Sequence, residues 1–160
     1  MKKIISFLLA CVALAGCATQ PQQSPEQMSI EAVYSVDQKI IATSKTIAEV
    51  VAKAQSISLT GCPPEFIDAY RANVKAWAKF ADVEKKMYTT NIAKAQSDIE
   101  KFLSQYQTNA TQATVDLIKE WPSMSAEINS TVSNIIKTFT EYTTIGAKYG
   151  AIYNRQKNFF

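Results

Sequence analysis

At 160 residues, with 17 Lys and Arg against 14 Asp and Glu, the chain can build one domain with a real core and is too nearly neutral to hold nucleic acid by charge. It contains no histidine. That removes the commonest metal ligand and the commonest general base, so no metal site, no activated thiol and no cofactor is expected.

In chain order, Lys2 and Lys3 precede an apolar run from Ile4 to Ala15, broken only by Ser6, and small residues follow it. Charge, then grease, then small residues is the layout of a secretory signal. The run is shorter than the roughly 20 residues that cross a bilayer. Without Lys2 and Lys3, 15 basic residues face 14 acidic ones, and the apparent basicity disappears.

Leu14-Ala15-Gly16-Cys17 resembles the lipobox of bacterial lipoproteins. The resemblance implies cleavage between Gly16 and Cys17, with the Cys17 thiol joined to diacylglycerol and the new amino terminus acylated. Two or more acyl chains suffice for stable anchoring. The other reading is an ordinary signal peptide with an incidental cysteine. Ala18, rather than Asp, after Cys17 resembles the pattern that sorts lipoproteins to the outer membrane of two-membraned bacteria. It implies a lipid-anchored domain facing the periplasm. Residues 17–27 form the lipidated cysteine and a polar tether in which Pro21 and Pro25 favour extended chain.

The bundle domain is assigned to 28–153, the signal to 1–16 and a frayed tail to 154–160. Few glycines and plentiful Ala, Lys, Gln and Glu predict an all-α fold. A first helix is expected from about Pro25 to Leu59, on a stripe of Val33, Val36, Ile40, Thr43, Ile47, Val50, Ala54 and Ile57. Gly61 and Pro63-Pro64 end it. A second begins at Pro64, with a stripe from Phe66 through Trp77, Glu84, Tyr88 and Ile92 to Tyr106. Glu84 is the one charged residue on that face. The polar patch Gln107 to Thr111 offers a place to turn; the alternative is a helix running straight to Trp121. A third stripe runs from Leu117 to Ile152 across Pro122, where either a kink or a stop is expected. Consecutive amphipathic helices on short connections predict an antiparallel bundle of three or four long helices. An elongated coiled arrangement closed by dimerisation is the alternative. Trp77, Phe80, Trp121, Ile128 and Phe139 should fill the core opposite Ile40 and Ile47.

Cys11 leaves with the signal, and Cys62 remains as a free thiol, either tucked into a loop or joined to a second copy. The carboxylate pairs Asp82 with Glu84 and Glu120 with Glu127 have the spacing of solvated helix faces, so an enzyme is not expected. Arg71, Lys75 and Lys79 repeat at i,i+4 and form a candidate interaction ridge. The reading is a non-enzymatic envelope protein, held to a membrane by its lipid, that scaffolds, chaperones or docks to another envelope protein. A homo-oligomer is compatible with it, and nucleic acid is not a partner. The alternatives are an immunity or exclusion lipoprotein that binds an incoming toxin or element, and a structural envelope spacer.

Overall fold

All three apolar stripes are helical, and two of them are cut by polar residues that neither glycine nor proline announces. The computed structural model describes residues 23–153, which form five α-helices: α1 (Pro25–Thr43), α2 (Ile47–Gln55), α3 (Pro64–Thr90), α4 (Ile92–Glu120) and α5 (Ser125–Lys148). A 3-10 turn, Pro122–Met124, joins the last two. The fold is an all-α bundle, with more and shorter helices than the three stripes suggest.

The first expected helix breaks at Ser44-Lys45-Thr46. Thr46 adopts extended backbone and its side chain accepts the Glu49 N–H, while Glu49 reaches back to the Lys45 N–H at 3.0 Å. This is a variant of the capping box, with the carboxylate on the amide before the N-cap, and it starts α2. The second stripe breaks at Asn91, also extended, whose side chain accepts the Lys94 N–H. α4 then doubles back at Asn109 (φ −151°, ψ 85°), whose Oδ1 accepts the Gln112 N–H at 3.0 Å. Its arms are 92–108 and 110–120. Thr46, Asn91 and Asn109 serve as N-caps, each satisfying a donor that a helix start leaves free.

Side-chain pairs fix the directions. Tyr34 meets Phe66 and Asp37 meets Tyr70, so α1 and α3 run the same way. α2 returns along α3, with Ile47 bonded to Glu84 and Ala54 near Val74. Phe102 packs on Phe80 and Tyr106 on Trp77, so the first arm of α4 descends along α3. Trp121 bonds Asp98 and Glu120 pairs with Lys94, so the second arm ascends beside the first. α5 descends against α3, matching Glu127 with Lys86, Thr138 with Asn73 and Tyr149 with Glu65. Six helical passes therefore alternate in direction.

Ile40, Ile47, Trp77, Phe80, Trp121 and Ile128 are buried as expected. Phe139 sits half-buried at the core's edge, its ring against Tyr142 and Tyr153. Four stripe positions face solvent instead: Val36, Thr43, Ile92 and Ile152. The breaks explain Val36, Thr43 and Ile92, and Ile152 lies beyond the end of α5. Ending α1 at Thr43 lets its buried face follow Ile30, Val33, Tyr34, Asp37, Ile40 and Ile41, and the turn at Asn91 swings Ile92 outward.

Candidate functional site

One buried carboxylate of the bundle lies on no predicted stripe. Asp37 is 6 % exposed, and three phenols point at its carboxylate. Tyr70 donates to Oδ1 at 3.1 Å, and Tyr142 and Tyr153 donate to Oδ2 at 3.0 and 3.2 Å. Burial pushes the Asp37 carboxyl up; the three hydroxyls pull it back, and burial wins. The phenols of Tyr34, Tyr70 and Tyr142 are likewise pushed up, chiefly by burial and next by the Asp37 charge. The cluster ties α1, α3 and α5 to the segment beyond α5.

Gly150 delivers that last partner. It takes φ +79° after α5, with the Gly150 N–H on the Ala147 carbonyl and the Ala151 N–H on the Gly146 carbonyl. This is a Schellman reversal, and it folds Ala151 and Tyr153 back onto the core. Beside the cluster, Asp37, Asn73, Trp77, Tyr106, Phe139 and Tyr153 line a crevice of about 20 Å³. That is room for a water and not for an organic substrate.

Glu84, 2 % exposed, is the second buried carboxylate. Its oxygens accept the Ile47 N–H at 2.9 Å and the Ala48 N–H at 3.0 Å, so it clamps the first turn of α2. Burial raises its pKa, and the two amides oppose the shift. Asn73 makes the third buried link, donating through Nδ2 to the Ile135 carbonyl at 3.0 Å and to Thr138 Oγ1 at 2.9 Å. Each of these groups is hydrogen-bonded within the fold, and each joins helices.

The carboxylate pairs weighed from the sequence do not converge. Glu84 faces α2, while exposed Asp82 pairs with Lys85. Glu120 pairs with Lys94, and Glu127 pairs with Lys86 across to α3. Among the described residues no group of three or more His, Cys, Asp or Glu could hold a metal ion, and no helix is long and apolar enough to cross a membrane. Cys62 is a free, half-buried thiol whose pKa burial raises. Gly16 and Cys17, the expected cleavage and lipidation positions, lie outside the described residues, as does 154–160.

Arg71, Lys75 and Lys79 are all exposed along one side of α3. Among the described residues none of them has a carboxylate within 4 Å. Two of them border a groove. Nine-residue α2 spans about 14 Å and stops at Gln55, and the chain covers the lower part of α3 with the loop 56–63 instead of a helix. The notch this leaves has a volume of about 320 Å³. Ala54, Ile57, Leu59, Tyr70 and Val74 supply its apolar lining, with Arg71, Lys75 and Gln55 as the polar lining. The cations were legible in the sequence and the groove was not, because the early end of α2 creates it.

No protein-family model, no curated protein and no solved structure matches this chain.

Proposed function

We propose that this chain is a lipid-anchored envelope protein that docks to another protein and catalyses no reaction. The observation that carries the reading is the division of its polar groups. The buried ones, Asp37, Asn73 and Glu84, are consumed in joining helices, whereas Arg71 and Lys75 of α3 stand without an ion pair among the described residues beside an open apolar notch. Buried groups arranged this way hold a shape. Free charge beside exposed apolar surface offers a partner both steering and contact area.

The address comes from the lipobox-like Leu14-Ala15-Gly16-Cys17 and the polar tether behind it. Two acyl chains on Cys17 would hold the bundle at the outer membrane, and the tether would let it stand off toward the periplasm. Acyl labelling and membrane fractionation test this part. Cys17→Ala is expected to abolish labelling and to leave the protein unprocessed or released from the membrane. A labelled, membrane-bound Cys17→Ala protein would refute the anchor. Cross-linking in intact cells from several exposed positions of the bundle tests the docking role, which requires a reproducible protein adduct from at least one face.

A further inference from the structure

The notch between α2 and α3 has the chemistry to select its occupant. We infer that it receives an apolar side chain from an acidic helical segment of the partner protein, with Arg71 and Lys75 holding the carboxylates beside it. This rests on the docking reading and says where and by what chemistry docking occurs.

Three features point this way. The lining is apolar on the floor, where Val74 and Tyr70 are buried and Ile57 and Leu59 are half-exposed. Arg71 and Lys75 on its cationic side have no carboxylate of the described residues within 4 Å, which leaves both available to acids on a partner. Arg71, Lys75 and Lys79 rise along α3 at about 6 Å per step. Carboxylates at i and i+4 on a second helix have the same pitch, so two helices lying side by side bring them into register.

The lining separates this occupant from a membrane lipid. A groove of about 320 Å³ lies at the small end of ligand sites and admits a Leu, Ile, Phe or Met side chain with room beside it. An acyl chain needs a longer apolar channel, and here the loop's Ser56, Ser58 and Thr60, all exposed, break the apolar surface.

The test places a photoreactive residue at Gln55, beside the notch, and separately at Lys137 on the exposed face of α5, in the full chain expressed in its own cells. Adducts are mapped by mass spectrometry. The expected result is an adduct from position 55 to a peptide in which Asp or Glu flank a large apolar residue. Arg71→Glu/Lys75→Glu should remove it, while Lys137→Glu should not, with each variant's thermal melt checked for folding. The mapped peptide, made synthetically, should then bind the purified chain and lose at least about tenfold in affinity with Arg71→Glu/Lys75→Glu. A phospholipid adduct from position 55 would overturn the inference in favour of a lipid, and a peptide without acids would overturn the charge match. Protein adducts from Lys137 alone would overturn the notch and leave the docking role standing. No protein adduct from either position, or from the other exposed faces, would remove both.

Discussion

The hydroxyl of Tyr34 occupies the space that a side chain at Gly146 would fill. Gly146 is helical and fully inside α5, and the missing methyl lets Tyr34 reach the Tyr142 carbonyl at 3.3 Å. A residue in a helix lies close to the carbonyl four positions before it, so a bare position 146 opens the approach to that oxygen. Gly146→Ala should therefore destabilise the bundle by about 1–3 kcal/mol through overpacking, although alanine favours helix elsewhere. Urea unfolding measures it. The loss should shrink in a Tyr34→Phe background, because the overlapping hydroxyl is gone; equal losses in both backgrounds would show that the two sites do not touch.

Glu84 stabilises α2 from another helix. Glu84→Ala leaves the Ile47 and Ala48 N–H groups without their acceptor and should cost about 1–3 kcal/mol. Glu84→Gln keeps one side-chain oxygen and should lose less. Amide hydrogen exchange separates local from global loss. Protection should fall at Ile47 and Ala48 before it falls in α3, since α2 has only nine residues and depends on packing.

The two buried carboxyls give stability an unusual slope with pH. Both Asp37 and Glu84 are raised by burial, so the folded chain binds their protons more tightly than the unfolded chain does. Their contribution is fully present below the ordinary carboxyl value of about 4 and is lost as pH rises through the raised folded values. Between those limits, difference profiles of wild type against Asp37→Asn and Glu84→Gln should show stability contributed by each carboxyl falling toward neutrality. A difference profile rising with pH instead would mean that the three phenols, or the two amides, outweigh burial.

The reversal inside α4 rests on a cap and an indole. Asn109→Ala removes the acceptor for the Gln112 N–H and should cost about 0.5–2 kcal/mol. Trp121 donates through Nε1 to Asp98 at 2.8 Å, with the Lys94 ammonium 5.4 Å from its ring centre. Trp121→Phe keeps the ring in the core but deprives Asp98 of that donor, and it should loosen the hairpin. Proteolysis near 109 under native conditions is the readout, and cleavage should speed up in both variants. If neither variant changes the rate, the arms are held by packing alone.

Helical class and most of the core were legible because the apolar residues recur at the helical period over long stretches. The breaks were less so. Thr46-Ile47-Ala48-Glu49 carries a capping-box signature, yet the apolar period continues across it and hides it, whereas the turn at Asn109 falls inside the polar patch Gln107 to Thr111 that offered a place to turn. Glu84 stood out as a charge on a greasy face, which is where a buried cap must sit. Asp37 gave no such signal. Its neighbour Val36 fits the stripe better, and the phenols that make Asp37 tolerable inside lie 33 to 116 residues away. The basic ridge was visible as spacing, whereas the notch beside it depends on where a neighbouring helix stops.

The tyrosine cluster also has a bearing on timing. Asp37 belongs to the first helix, and its contacts with Tyr142 and Tyr153 span 105 and 116 residues. A polypeptide that emerges amino terminus first, from a ribosome or through a secretion channel, meets these partners only near the end of its passage. Until Tyr142 and Tyr153 have cleared the exit, Tyr70 is the only one of the three phenols available to the carboxylate at 37, and the cluster stays incomplete.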